Sequence, residues 1–227
     1  VTAIHSVAGA LAHTVIYTPP FRAPHHTASH TSLVGGGAHP RPGEVTLAHR
    51  GVLFLDEFPE FDRRSIDALR QPLEDRVVSI SRVQGSALFP ADFILLAALN
   101  PHRGGAEAGD GGADVFDSML EIYKKKISGP ILDRIDLWLE VPHVAYETLA
   151  DTKRAGGETA AAREGIMRAR ERQTVRLAGR KARANAEMSA RDLDETIRLS
   201  PEVTDLLRSA ATKLNLSPRS YHRVIKV

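Results

Sequence analysis

The residues best suited to chemistry are a pair of acids, Asp56 and Glu57, that close the apolar run Val52-Leu-Phe-Leu55. Continuous apolar residues of this length read as a strand buried on both faces of a parallel sheet. Ligands of α/β sheets bind at the C-terminal edge of such strands, which is where these two carboxylates fall. In phosphoryl transfer the first acid of such a pair holds Mg²⁺, usually through water, and the second polarises the attacking water. The alternative is an acidic pair that only caps a strand or opens a helix. A second apolar run, Phe93 to Leu99, ends in Asn100-Pro101 about forty residues later. An amide at the same edge can hydrogen-bond the attacking water or a γ-phosphate. The competing reading is an asparagine opening a turn before proline.

These residues need a scaffold, and the rest of the chain supplies its pattern. Residues 1–50 are rich in Pro, Gly and His, and Tyr17-Thr-Pro-Pro-Phe-Arg-Ala-Pro24 excludes a regular helix. Gly35-Gly-Gly37 and Arg41-Pro-Gly43 read as loops. Residues 62–71 have a helical pattern that Pro72 disturbs at its end. Val77–Ser81 and Ser86–Phe89 read as a hairpin about Gly85, and Asp136–Val141 reads as a further strand. Strands separated by helical segments predict an α/β fold with a mainly parallel sheet over residues 1–150. A glycine- and acid-rich loop covers 103–114. A linker and charged helix are predicted over 151–187, with a helical lid over 188–227. Ser200-Pro201 and Ser217-Pro218 mark helix starts there, and Asn215 a left-handed stop between them.

Composition removes several functional classes. The chain has 227 residues, 42% hydrophobic and 26% charged, so it is globular rather than disordered. No apolar run approaches the roughly 20 residues of a membrane span. Zero cysteines exclude a disulfide framework, a Cys-ligated zinc and a cysteine nucleophile, and fit a reducing compartment such as the cytoplasm. A net charge of +2 does not by itself indicate nucleic acid. His25-His26 lies in a proline-bounded loop, where adjacent side chains of an extended chain diverge, so it predicts loop ordering rather than metal binding. The arginines between Arg163 and Arg183 read as a solvated helix face, with a nucleic-acid contact as the alternative. The chain begins with Val1, and Tyr221–Val227 reads as a helix without a stop signal, so it reads as a piece of something longer.

Several runs, in order, carry a resemblance: Pro20-Phe-Arg-Ala-Pro-His-His26, Leu33-Val-Gly-Gly-Gly37, Pro42-Gly-Glu-Val-Thr-Leu-Ala-His49 and Gly51-Val-Leu-Phe-Leu-Asp-Glu57. Ala68–Asp75, Ile80–Arg82, Ile127–Asp136 and Leu216–Arg223 continue it. Together they resemble the magnesium-chelatase-like AAA+ ATPases and, among them, the ComM (YifB) branch. The resemblance covers nearly the whole chain except 103–115 and 158–185. It implies an AAA+ core whose first strand and P-loop lie upstream of Val1, followed by a helical lid. No G-x-x-x-x-G-K-[ST] occurs in the chain, so these residues alone are expected to be inactive.

The resemblance also implies roles. Asp56 and Glu57 are similar to the Walker B pair, which uses ATP and Mg²⁺, and Asn100 to sensor 1. Arg134 is similar to an arginine finger reaching a neighbour's nucleotide, and Arg219 to the sensor 2 arginine of the lid. The implied assembly is a homo-oligomeric, hexameric ring. The implied work is ATP-driven remodelling of DNA, of a branch-migration or transformation type, with the Val77–Phe89 hairpin and Arg82 contacting the DNA backbone. A metal-chelatase motor subunit and a non-hydrolysing scaffold are the alternatives. The chain departs from the branch after Pro101, where His102-Arg-Gly-Gly105 replaces a cysteine-containing stretch.

Overall fold

A computed structural model of the chain describes residues 1–11, 15–37, 39–82, 85–99, 126–141 and 157–227. It divides into two compact units, Val1–Glu140 and Val141–Val227.

The first unit is built on a parallel sheet. Its strands are β1 (Phe21–Arg22), β4 (Val52–Leu55) and β7 (Ile94–Ala97), in the order β1-β4-β7, all parallel. Phe21 pairs with Val52, Arg22 with Leu53, and Leu55 with Ala97. The apolar run of β4 earns its central place: Leu53 and Leu55 are fully buried. Around them gather Leu33 and Val34 of α2 (His30–Val34), Val45 of α3 (Glu44–Leu47), and Phe58 and Phe61 beyond the acids. Each such side chain contributes about 1.5–3 kcal/mol by leaving water. A short helix α1 (Thr2–Val7) joins through buried His5, whose Nε2 lies 3.0 Å from the Leu47 carbonyl.

Gly35–Gly36 (β2) and Arg41–Pro42 (β3), expected as loops, form a small antiparallel ribbon. The glycines are what permit it. A Cβ on Gly35, which sits at φ +107, would lie 2.5 Å from the Arg41 carbonyl oxygen, so the backbones meet where a side chain would stand.

The helix expected over 62–71 is two short helices, α4 (Arg63–Ala68) and α5 (Arg70–Asp75), joined at Leu69. Pro72 lies in the first turn of α5, where its missing N–H leaves no helical bond unmade. The hairpin is present as β5 (Val77–Arg82) and β6 (Gly85–Pro90), with Val78 and Ile80 buried in the core. Gly85 belongs to the ladder, opposite Arg82, rather than to the turn. The strand expected at Asp136–Val141 does not form: residues 135–141 have no regular structure. A strand exists by pairing, and among the described residues no strand is laddered to this segment. Its apolar side chains are left in solvent, Leu139 84% and Val141 85% exposed.

The second unit is helical. It contains α7 (Glu158–Arg176), α8 (Ala190–Thr196), α9 (Pro201–Lys213) and α10 (Pro218–Lys226), with α6 (Gly129–Leu132) belonging to the first unit. Ser200 and Ser217 cap α9 and α10 as their sequence pattern predicts, each hydroxyl accepting a backbone N–H. Asn215 adopts φ +48, and the Leu216 N–H returns to the Ala211 carbonyl, a left-handed stop. Ser189 and Asp192 form a reciprocal capping box at α8. The small core of Leu177, Ala182, Met188 and Leu193 joins the end of α7 to α8.

Candidate active site

The two acids leave the sheet where β4 ends. Ala98 donates its N–H to the Leu55 carbonyl (2.9 Å), and Phe58 donates to the Ala98 carbonyl (3.0 Å). These bonds tie the ends of β4 and β7 around the acidic pair. Phe58, fully buried, begins a short 3₁₀ turn over Phe58–Glu60. Between a central strand and this anchored phenylalanine, Glu57 is held at φ +50, ψ +44, a left-handed backbone that non-glycine residues rarely adopt. Such positions cost of order 1–3 kcal/mol and gather at functional sites. Asp56 stabilises the bend, its Oδ1 accepting the Glu57 N–H at 2.9 Å. Both carboxylates are exposed.

A third side chain joins them. His26 Nδ1 lies 2.8 Å from Glu57 Oε2. The parallel register explains the meeting. Arg22 pairs with Leu53, and His26 and Glu57 each stand four positions further along their chains, beyond the same edge of the sheet. The histidines do not diverge as the extended-chain argument expects: their rings lie against each other, tilted by 34°, with centroids 4.2 Å apart. The reason is a turn. Ala28 donates its N–H to the His25 carbonyl (2.9 Å), so the chain stops being extended at His26. A signal for this contact was present in sequence as the proline-bounded histidines following β1, but only the register joins them to Glu57.

The segment bearing His26 is fixed from both sides. Arg22 makes a two-pronged pair with Glu44, Nε to Oε2 at 2.5 Å and Nη2 to Oε1 at 2.7 Å. That carboxylate, hydrogen-bonded to the guanidinium, raises the Arg22 pKa above its ordinary value against the opposing effect of burial. Val52 donates to the Pro20 carbonyl at 2.8 Å, an approach open only because residue 51 is glycine. At the other end of β4, His49 Nδ1 accepts the Asp92 N–H at 3.1 Å. Burial, helped by Arg50, holds the His49 pKa below its usual value, while Asp92 opposes the shift.

Other predicted site residues stand elsewhere. Asn100 lies outside the described residues, three positions beyond the end of β7. Arg82 pairs with Gly85 in the last rung of the hairpin, and its side chain lies outside what is described. Arg134 follows α6 in the first unit. Its side chain is 13% exposed, and the guanidinium engages Glu74 and the Pro130 carbonyl of the same chain, while its Nε is buried without an acceptor among the described residues. Nearby, Arg70 donates to Ser128 Oγ (3.1 Å), which donates to Asp67 (2.7 Å), tying α5 to the Arg134 segment. Arg219 belongs to the second unit, in the first turn of α10. In the arginine-rich segment, Arg180 is bound to Glu195 at 2.9 Å and Asp192 at 3.3 Å, and Arg168 to Glu164 at 2.8 Å, so part of that charge is structural. No described helix is long and apolar enough to cross a membrane.

Mg²⁺ keeps several waters and takes one or two protein carboxylates beside phosphate oxygens, rather than an all-protein cage. An exposed Asp56 carboxylate at the edge of the sheet fits that donor set. No cluster of three or more metal-ligating side chains occurs among the described residues.

The family model for magnesium chelatase, subunit ChlI, matches residues 1–149, and that for the C-terminal part of the same subunit matches 156–227. Competence protein ComM of Haemophilus influenzae is 44% identical over 208 residues, 92% of this chain and 40% of its own length. The Escherichia coli protein YifB is 42% identical over the same shares. DNA replication licensing factor Mcm6 of Drosophila melanogaster is 30% identical over 97 residues, 42% of this chain and 11% of Mcm6. The chain thus spans about two-fifths of the length of ComM and YifB.

Proposed function

Because the chain belongs to the magnesium-chelatase (subunit ChlI) family of AAA+ proteins, we propose that the protein containing it hydrolyses ATP, with Asp56 and Glu57 as the acidic pair of the site. The observation that carries this reading is the left-handed Glu57, held out beyond the central parallel strand between Asp56 and the anchored Phe58. Asp56 would hold Mg²⁺, which neutralises developing charge on the phosphates. Glu57 orients a water and takes its proton as the water oxygen attacks the γ-phosphorus, giving ADP and phosphate. Asn100, three positions beyond the neighbouring strand in sequence, is the residue that would hydrogen-bond the attacking water or the γ-phosphate. Arg134 acts on the nucleotide of the next subunit of a hexameric ring, with Glu74 orienting its guanidinium. Arg219 pairs with phosphate oxygens from the helical lid.

The work done is remodelling of DNA. Two similarities support it: one to a competence protein, and a shorter one to a DNA replication licensing factor. The β5–β6 hairpin, with Arg82 in its last rung, is the proposed contact with the DNA backbone. The protein is expected in the cytoplasm.

The decisive experiment is Glu57→Gln in the full-length protein. The amide keeps shape and hydrogen-bonding reach but removes the base, so ATP binding persists and turnover falls by about 10²-fold or more. Turnover near wild type rules the assignment out. The 227-residue chain by itself, without a P-loop sequence, is expected to bind ATP weakly and turn over none; sub-micromolar affinity by calorimetry would show the P-loop is not required.

A further inference from the structure

Glu57 is a poor positioning device by itself. Its side chain is 47% exposed and can rotate about three bonds, yet the proposed reaction needs one carboxylate oxygen aimed at one water. The structure gives it a single neighbouring imidazole. We infer that His26 is a positioning residue for Glu57, donating a hydrogen bond from Nδ1 to Oε2, and that the tilted His25 ring packed against it holds the imidazole in that pose; this rests on the reading of Glu57 as the water-orienting base.

The protons on the two rings follow from their partners. The Thr27 backbone N–H donates to His25 Nδ1 (3.3 Å), and the Thr27 hydroxyl lies 2.9 Å from the same atom. A nitrogen receiving an N–H is an acceptor, so the His25 proton sits on Nε2. An ionised Glu57 only accepts, so His26 carries its proton on Nδ1. The two adjacent histidines therefore hold opposite tautomers, one fixed by the turn and the other by Glu57. With Oε2 occupied by His26, Oε1 is the oxygen left to address the water. The arrangement is anchored rather than incidental. The Arg22–Glu44 pair and the Val52–Pro20 bond fix the strand from which His26 extends, and Phe58 fixes the one from which Glu57 extends.

Substitutions at residue 26 separate this role from simple packing. Asparagine places an N–H donor at nearly the position of Nδ1, whereas glutamine places one near Nε2. In the full-length protein, His26→Ala and His26→Gln should lower kcat for ATP by roughly 10- to 100-fold, the scale of a misplaced catalytic group. KM and nucleotide affinity should stay within about twofold, because the lost interaction is not one of binding. His26→Asn should recover most of the rate. Three variants with wild-type kcat overturn the inference, as do three that fall equally, or a loss expressed in nucleotide affinity.

A readout without turnover uses nitrogen-15 NMR of the histidine rings in the full-length protein. His26 should show a protonated Nδ1 and a bare Nε2, a pattern kept in Glu57→Gln and lost in Glu57→Ala. A ring that averages freely in the unsubstituted chain overturns the inference without any variant having to fold. The two claims fail separately: a fully active Glu57→Gln protein refutes the base, whereas an unlocked His26 ring beside an inactive Glu57→Gln protein refutes only the positioning.

Discussion

Gly51→Ala tests whether β1 sits against β4 as described, and with it the approach of His26 to Glu57. Gly51 is buried, and a Cβ built there would stand 1.9 Å from the Pro20 carbonyl oxygen. Real Cβ contacts essentially never fall under 3.0 Å, so the two backbones must separate by about 1.1 Å or more, the difference 3.0 − 1.9. The same carbonyl accepts the Val52 N–H at 2.8 Å, so the separation also breaks a strand-to-strand bond. Overpacking of this kind costs about 1–3 kcal/mol, and the lost hydrogen bond about 0.5–1.5. Reduced freedom of the unfolded chain returns about 0.4–1 kcal/mol. The net expectation is a loss of about 0.5–4 kcal/mol. Urea unfolding of the 227-residue chain measures it, with hydrogen exchange at the Val52 amide reporting the first unit separately from the second. Gly165→Ala is the control: it lies in α7 with nothing within 4 Å of a new Cβ, and should instead stabilise by about 0.5–1 kcal/mol. A Gly51→Ala chain as stable as wild type, with the Val52 amide still protected, would refute the packing of β1 on β4.

His49 predicts a pH effect of definite sign. Its folded pKa lies below the ordinary value because of burial and Arg50, against Asp92; the unfolded chain thus binds the proton more readily, and the stability is complete above about pH 6.5 and lost as pH falls toward the folded value. His49→Asn, which keeps an acceptor for the Asp92 N–H, should be flatter than wild type between about pH 5 and 7 in denaturant titrations, and an unchanged slope would contradict the assignment. Arg134→Ala in the full-length protein should leave ATP affinity nearly intact and lower turnover by about 10³-fold. Mixing it with Glu57→Gln protein should restore part of the activity, whereas no rescue at any ratio would place Arg134 in its own subunit's chemistry. Arg82→Ala should weaken DNA binding across all sequences and reduce its salt dependence while basal ATP hydrolysis survives; unchanged affinity and slope would move the DNA contact away from the hairpin.

The local signals that were legible in sequence are those carried by short-range chemistry. The apolar run of Val52–Leu55 ending in two acids is a central parallel strand with the acids beyond its C-terminal end. The Ser-Pro pairs at 200 and 217 begin helices, and Asn215 ends one, because capping and left-handed backbone depend on a few adjacent residues. The ordered motifs indicated the family, which the matches over 1–149 and 156–227 establish. What pairing decides was less accessible. Alternating residues at Asp136–Val141 look like a strand, but a strand is made by its neighbour, and none of the described residues supplies one. Gly35–Gly37 looks like loose chain, yet its first two glycines form a ribbon with Arg41–Pro42, a close approach that a Cβ at Gly35 or at Gly43 would block.

The contact of His26 with Glu57 belongs wholly to the tertiary structure. The residues are 31 positions apart in sequence, and no local pattern links them. They meet because β1 and β4 run parallel in a register that gives each residue the same four-position overhang, and because a turn at His25–Ala28 folds one imidazole onto the other. Sequence determined the acids and the strand that presents them, since burial and backbone preference act residue by residue. The register of two strands, with Val52 bonded to Pro20 past Gly51, determined which side chain stands beside them.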